Sequence, residues 1–131
     1  MAKYYRTPHL VYDCIYHVIF CPKYRRKILV NGLDELVKSL FFKIAEQKDF
    51  QIIEMEVMPD HVHLLISCNP RFGIMNCVRA LKRYSAAPMR EFDPSLEHRL
   101  PSIWTRSVFI ATVGSVSLEM VKAYIESQKE Q

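Results

Sequence analysis

The fold is decided by the stretch Pro59-Asp60-His61-Val62-His63-Leu64-Leu65-Ile66-Ser67. It opens on a Pro-Asp turn signal and continues into a short apolar segment, which predicts a β-strand. Successive side chains on a strand point to opposite faces, so His61 and His63 share one face and Val62 lies on the other. Two neighbouring imidazoles can bind a metal ion, although backbone carbonyls or water can also satisfy an isolated His-x-His pair. A third ligand and a nucleophile elsewhere in the chain are needed to decide between these two interpretations.

Length and composition limit the classes of protein to which the chain can belong. A chain of 131 residues, 50% of them hydrophobic, predicts a single domain over 1–131 with a substantial core. The four cysteines form no Cys-x-x-Cys pair and the first residues lack a signal peptide, so we expect reduced thiols in a cytoplasmic protein. No apolar run approaches the ~20 residues of a membrane span, so no membrane partner is expected.

Basic residues are concentrated in two clusters, although the net charge is only +4. Each cluster also contains a tyrosine, Tyr24 in the first and Tyr84 in the second. Cations interleaved with aromatic rings are typical of a nucleic-acid groove, and a solvated charged face is the plain alternative. The clustered cations are Lys23, Arg25, Arg26 and Lys27 in a loop, and Arg79, Lys82 and Arg83 on a helix.

Hydrophobic periodicity predicts the order β-α-β-β-α-β with an additional C-terminal helix. This order is the ferredoxin-like α+β pattern, an antiparallel four-stranded sheet with two helices on one face. The first and third strands are then the central pair, so the histidine strand lies mid-sheet and the open face holds the site. We expect Pro88 to end or kink the second helix. Besides the histidine strand, the predicted strands are 9–20, 52–58 and 104–113, and the predicted helices are 32–47, 73–86 and about 117–129.

The C-terminal helix carries a candidate for the rest of the site. Tyr124 and Gln128 are four residues apart, so they lie on one helix face with their Cβ atoms about 5–6 Å apart. On spacing alone, Tyr124 could simply pack beside the apolar stripe of the helix while Gln128 is a solvated end residue. Their joint occurrence with His61 and His63 favours a functional role.

The chain resembles the single-tyrosine HUH transposases, small enzymes that move insertion sequences as single-stranded DNA. The resemblance covers almost the whole chain, and its four motifs occur in the family's order. One such motif would be weak, but four together are specific. A departure lies at Tyr84, where we would expect a small or basic residue, and this concerns DNA sequence preference and not the chemistry. The matching motifs are Cys21-Pro22-Lys23-Tyr24-Arg25-Arg26-Lys27, His61-Val62-His63 with Leu64-Leu65-Ile66, Trp104-Thr105-Arg106-Ser107, and Tyr124-Ile125-Glu126-Ser127-Gln128.

The resemblance implies that His61, His63 and Gln128 bind a metal ion and that Tyr124 attacks a DNA phosphate. A covalent phosphotyrosine keeps the bond energy for rejoining, whereas a water nucleophile would merely hydrolyse the strand. An ordinary tyrosine is a poor nucleophile at neutral pH, so we expect a metal ion to polarise the phosphate. The mixed ligand set and the phosphoryl substrate indicate Mg²⁺ or Mn²⁺. We expect His17 to support the site and not to bind the metal.

The expected function is therefore a transposase that cleaves and rejoins single-stranded DNA, with hairpins at the element ends as its partners. A related domesticated or replication-type nickase, or a catalytically silent nucleic-acid-binding module, are the alternatives. An element has two ends to process, so two active sites and a homodimer are expected. The resemblance implies further that the terminal helix crosses to the partner subunit. The link Gly114-Ser115-Val116 is compatible with that exchange, since glycine tolerates unusual backbone angles.

Overall fold

The structure is a computed structural model that describes residues 5–113 and 118–130. The predicted link 114–116 and residue 117, where the predicted C-terminal helix begins, lie outside the described residues. Among those residues, no helix combines the length and apolarity needed to cross a bilayer. In chain order the elements are β1 (Tyr5–Thr7), β2 (Leu10–Tyr12), β3 (Ile15–Phe20), α1 (Leu33–Lys48), β4 (Gln51–Met58), β5 (His61–Ser67), α2 (Ile74–Phe92), α3 (Leu96–Arg99), β6 (Phe109–Thr112) and α4 (Leu118–Ser127).

The main sheet has four strands in the order β4-β5-β3-β6, and every neighbouring pair is antiparallel. The first and third strands of this sheet, β3 and β5, are its central pair. The predicted ferredoxin-like α+β fold is therefore confirmed, and the two histidines of β5 lie mid-sheet. A separate two-stranded sheet is formed by β1 and β2.

Alternation along the central strands separates the two faces of the sheet. Val18, Phe20, Val62 and Leu64 are fully buried and belong to the core that α1 and α2 cover. Phe41 of α1 packs against Phe20 with ring centroids 6.0 Å apart. Burying an aromatic or aliphatic side chain of this size contributes about 1.5–3 kcal/mol, so this face holds the helices in place. The histidines alternate with these residues and point to the other, open face.

The first predicted strand, 9–20, is divided into the two strands β2 and β3, and β2 does not belong to the main sheet. The structure has the hairpin β1-β2 there, and β3 begins only after it. The hairpin turns at Pro8-His9, where His9 has a left-handed φ of 67°. Tyr5 and Tyr12 face each other across the two strands with ring centroids 5.5 Å apart. A cross-strand aromatic pair of this kind stabilises a short ribbon, and the turn at Pro8-His9 was the signal that the prediction overlooked.

The expected end of the second helix before Pro88 is also wrong, because α2 continues past this proline to Phe92. Proline removes one backbone hydrogen bond from a helix interior and costs about 3 kcal/mol. The additional turn buries Met89 completely, and that burial offsets part of the cost. After α2 the chain forms the short helix α3, which buries Leu96.

The last predicted strand, 104–113, is shorter than expected, since β6 begins only at Phe109. Trp104 makes an isolated antiparallel bridge to the loop after β3 instead of joining the sheet. Its indole packs edge-on against Phe20 with ring centroids 5.0 Å apart, and its Nε1–H donates to Ser85 Oγ at 2.9 Å. The segment before β6, residues 104–108, therefore does not join the sheet, and its Trp104 packs in the core instead.

Candidate active site

One row of side chains crosses the open face of the sheet. Glu56, His63, Ile19 and Phe109 are successive register partners on β4, β5, β3 and β6. Register partners in an antiparallel sheet point to the same face. Tyr124 of α4 packs on Phe109 with ring centroids 5.4 Å apart, and α4 also contacts β3. The structure thus brings the helix of the predicted nucleophile and the strand of the predicted metal ligands to one face.

His61 is held by a carboxylate next to it in sequence. Its Nδ1 lies 2.9 Å from Asp60 Oδ1, and the second oxygen of Asp60 lies 3.3 Å from Arg25 Nε. A carboxylate accepts hydrogen bonds, so the imidazole donates from Nδ1 and keeps the lone pair of Nε2 free. Sequence analysis missed this role of Asp60 and treated it as a turn residue, although its position beside His61 was an available signal.

His63 is paired with His17 of β3, with His63 Nε2 and His17 Nδ1 3.2 Å apart. Burial lowers the pKa of His63, the neighbouring His17 and His61 lower it further, and Glu56 and Glu54 oppose this effect. A lowered pKa favours the neutral imidazole of His63, whose Nε2 shares its hydrogen bond with His17. A cavity of about 360 Å³ opens beside the pair.

Tyr124 has its hydroxyl oxygen buried, and that oxygen has no hydrogen-bond partner among the described residues. Burial raises the pKa of Tyr124 to about 12, while the nearby Ser107 hydroxyl lowers it in part. The phenol is therefore protonated at neutral pH. Any attack by this oxygen must include removal of its proton.

Gln128 is buried, with only 4% of its surface exposed, so it is not a solvated end residue. Its Oε1 accepts a hydrogen bond from Ser107 Oγ at 2.8 Å, and its Nε2 donates to Ser127 Oγ at 3.2 Å. Among the hydrogen bonds of the described residues, Gln128 makes none to His61 or His63. The structure therefore places the predicted third ligand against the segment before β6.

Lys82 of α2 binds the segment before β6. Its Nζ donates to the carbonyl oxygens of Thr105 at 2.8 Å and Ser107 at 2.9 Å, and it lies 5.1 Å from the ring centre of Phe20. Burial lowers the pKa of Lys82 to about 8. Ser107 thus connects Lys82 to Gln128, a role that the Trp-Thr-Arg-Ser motif did not reveal because it depends on contacts distant in sequence.

The predicted DNA-binding residues fall into two groups. Arg25 and Lys82 have partners within the chain, Arg25 with Asp60 and with the end of α4. Tyr24 is exposed in the loop after β3, with Lys23 Nζ 5.3 Å from its ring centre. The remaining predicted cations, Arg26, Arg79 and Arg83, are exposed.

A basic groove of about 620 Å³ lies between α2 and the segment before β6. The predicted residues Arg79 and Arg83 line it, and Arg90 and Arg106 add two further guanidinium groups. Sequence analysis missed the last two, because they lie outside the helical cluster and only the fold brings them to the same groove. Four guanidinium groups in one groove produce a positive potential suited to a phosphate backbone.

The metal prediction can be compared with the donor atoms present. His61 offers a lone pair at Nε2, burial favours a neutral imidazole at His63, and Gln128 is a buried amide that bonds to Ser107. Among the side chains that the structure describes, no three of His, Cys, Asp or Glu form a metal-binding cluster. The donor types fit a divalent cation bound by two imidazoles and one amide oxygen.

Comparison with known protein families and sequences shows the class to which the chain belongs. The chain matches the family described as "Transposase IS200 like" over residues 10–128. It is 41% identical over 122 residues to the ISDra2 transposase TnpA of Deinococcus radiodurans, covering 92% of this chain and 87% of that protein. It is 30% identical over 125 residues to the transposase for insertion sequence element IS200 of Salmonella typhimurium, covering 94% and 82%. The protein is thus of the transposase class.

Solved structures agree with this comparison. A crystal structure from Deinococcus radiodurans, described as a transposase, superposes with a TM-score of 0.87 at 33% identity, covering 97% of this chain and 99% of that one. A REP-associated tyrosine transposase bound to a REP hairpin shares the fold alone, with a TM-score of 0.57 at 14% identity over 96% and 69% of the two chains. The chain belongs to the IS200-like transposase family, and its resemblance to the single-tyrosine HUH transposases is confirmed.

Proposed function

We propose that this transposase cleaves and rejoins single-stranded DNA at insertion-sequence ends through a covalent phosphotyrosine at Tyr124. One observation carries the proposal. Tyr124 on α4 packs on Phe109, on the same open face of the sheet as His61 and His63 on β5, and Gln128 follows directly after α4. A nucleophile beside two imidazoles, with an amide four residues further on, matches the requirements of phosphoryl transfer.

The reaction replaces one phosphorus–oxygen bond by another. The phenolic oxygen of Tyr124 forms a bond to a DNA phosphorus, the bond from phosphorus to the 3′-oxygen breaks, and the 3′-hydroxyl leaves with a proton. Rejoining reverses these steps. Because burial raises the pKa of Tyr124 and hides its hydroxyl, the phenol must lose its proton and α4 must shift before this oxygen reaches a phosphate.

We propose that the reaction depends on Mg²⁺ or Mn²⁺ bound by His61, His63 and Gln128. When bound, such a cation supplies polarisation of the phosphate and stabilisation of the developing charge. His61 is already oriented by Asp60, and neutral His63 can donate its lone pair at neutral pH. Gln128 would have to exchange its hydrogen bond with Ser107 for the cation.

We propose that the DNA lies along the exposed basic surface. Lys23, Tyr24 and Arg26 are available on the loop, and Arg79 and Arg83 on the groove. Phosphates would pair with the cations, and bases would stack on exposed rings such as Tyr24. A hairpin at each element end remains the predicted substrate. That one fold relative is bound to a REP hairpin supports this choice.

We further propose a homodimer in which α4 is exchanged between subunits, acting in the cytoplasm where the element's DNA lies. The exchange is proposed from the family resemblance; within the described residues, α4 contacts β3 and Arg25 of its own chain. Each active site would then combine His61 and His63 of one subunit with Tyr124 and Gln128 of the other.

Substitution of Tyr124 tests the proposed function. Tyr124→Phe removes only the phenolic oxygen, so we expect no cleavage of a labelled single-stranded element end and near-normal binding of that DNA. Tyr12→Phe is the matched control, because it removes a tyrosine hydroxyl in the β1-β2 hairpin, outside the proposed site, and should cleave normally. Cleavage by Tyr124→Phe at the wild-type rate would exclude Tyr124 as the nucleophile.

A further inference from the structure

Arg25 has an unusual backbone conformation. Tyr24 and Arg25 are consecutive non-glycine residues with left-handed φ values of 59° and 51°. Such angles cost free energy for residues with a Cβ, so two in succession persist only where the surroundings hold them. The surroundings that contact Arg25 are Asp60 and the end of α4.

The Arg25 guanidinium joins two elements of the proposed site. Its Nε lies 3.3 Å from Asp60 Oδ2, in the turn before β5, and its side chain is only 16% exposed. Its Nη1 donates to the carbonyl oxygen of Ile125 at 3.4 Å and to Glu126 Oε2 at 3.2 Å, both on α4. These two acceptors directly follow Tyr124. The carbonyl of Ile125 lies in the last turn of α4, where backbone acceptors lack helical partners and a cation is favourable.

Asp60 extends this connection to His61. One carboxylate oxygen faces Arg25, and the other accepts from His61 Nδ1. Three links, from α4 to Arg25, from Arg25 to Asp60 and from Asp60 to His61, therefore form a continuous chain of contacts. Its two ends are the helix of the nucleophile and one proposed metal ligand.

We propose that Arg25 and Asp60 are positioning residues that couple the placement of α4 to the orientation of the His61 ring. The proposal rests on the proposed roles of Tyr124 and His61. Arg25 suits this role because a planar guanidinium binds in two directions at once, which a lysine ammonium cannot reproduce. When α4 is in place, Arg25 holds Asp60, and Asp60 fixes the His61 tautomer that leaves Nε2 free.

Amide hydrogen exchange tests the helix end of this connection. In the metal-free full-length protein, Arg25→Lys and Asp60→Ala should both accelerate exchange across residues 118–127 by about three- to tenfold, the size supported by a partly screened ion pair. Arg26→Lys, an exposed neighbour in the same loop, is the control and should leave exchange unchanged. Exchange in β3 and β5 should stay at the wild-type rate, which shows that the variants are folded.

Nitrogen NMR of the His61 ring tests the other end. At pH 8, wild-type His61 should show a protonated Nδ1, because this nitrogen donates to the Asp60 carboxylate. Both Asp60→Ala and Arg25→Lys should shift it towards the tautomer with the proton on Nε2, and Arg26→Lys should not. Coupling between sites is reciprocal, so each variant must affect both ends.

The outcome is decisive in either direction. If Arg25→Lys changes helix exchange and leaves His61 unaltered, or if Asp60→Ala alters His61 and leaves α4 unaltered, the contacts are separate and the proposal is overturned. Neither measurement requires cleavage. Normal cleavage by Tyr124→Phe would exclude Tyr124 as the nucleophile but would not change the exchange and NMR results. Failure of the proposed function and failure of the Arg25–Asp60 coupling are therefore distinguishable.

Discussion

Lys82 is a cation held inside the molecule, and its amine fixes two carbonyl oxygens of the segment that carries Ser107. Lys82→Met removes both hydrogen bonds and leaves those carbonyls without this donor, which costs about 1–3 kcal/mol. A lowered pKa means that the folded state binds fewer protons at this site than the unfolded state. Stability from Lys82 is therefore fully present above about pH 10.5, the ordinary lysine pKa, and is lost as the pH falls towards 8.

We predict that Lys82→Met lowers the free energy of unfolding more at pH 10 than at pH 7, as measured by urea denaturation. Arg83→Met, the exposed neighbour, should stay within about 0.5 kcal/mol of wild type at both pH values. The opposite result would be a loss in free energy of unfolding that is the same at both pH values, together with a reduced salt dependence of DNA binding. That result would favour the DNA contact predicted for Lys82 from the sequence.

Single residues of the site were predictable to different degrees. The period of a strand predicted that His61 and His63 share one face, and the structure has them so. Helical spacing and the family resemblance indicated Tyr124 and Gln128, whose roles stay predictions. Ser107 and the inward use of Lys82 could not be predicted, since both depend on packing between segments that lie far apart in sequence.

Helix α2 combines a buried face with a cationic one, and the cationic face borders the basic groove. If Arg79 and Arg83 pair with phosphates, Arg79→Gln or Arg83→Gln should weaken binding of single-stranded DNA. The slope of log affinity against log salt should fall by about 0.7 for each phosphate that is no longer neutralised. Fluorescence anisotropy over a salt series measures this.

Lys43→Gln is the control for these variants, because Lys43 is exposed on α1 and outside the groove. It should leave the salt slope unchanged. If the arginine variants bind with the slope of Lys43→Gln, the cations of α2 are merely a solvated face.

Element order was predictable because hydrophobic periodicity depends on local sequence, and the four-stranded topology follows from that order. The residues at which helices and strands end could not be predicted in the same way. Burial of Met89 keeps α2 helical beyond Pro88, and the bonds of Trp104 remove its segment from the sheet. In both places a tertiary contact outweighs the local preference of the chain.

At the scale of the whole molecule, the proposed exchange of α4 predicts complementation. Tyr124→Phe and His63→Ala should each be inactive alone. Under exchange, a mixed dimer contains one site with intact histidines from the first chain and an intact tyrosine from the second, so cleavage of a labelled strand should return. About half of the dimers are mixed at equal concentrations if subunits associate at random, and each has one of two sites intact.

Sites formed within each chain make the opposite prediction, because every site in the mixture would lack either its tyrosine or its histidine. Formation of mixed dimers is checked with two affinity tags. Mixed dimers without cleavage would refute the shared site and leave the role of Tyr124 itself untouched.

The most direct test of the central claim is to locate the covalent bond. Wild-type protein is mixed with single-stranded element-end DNA and Mn²⁺, denatured and digested, and the peptide that carries the nucleotide is sequenced by mass spectrometry. We predict an adduct on Tyr124 that survives denaturant and is absent when the cation is chelated. An adduct on another residue, or cleaved DNA with no adduct at all, would contradict the phosphotyrosine mechanism.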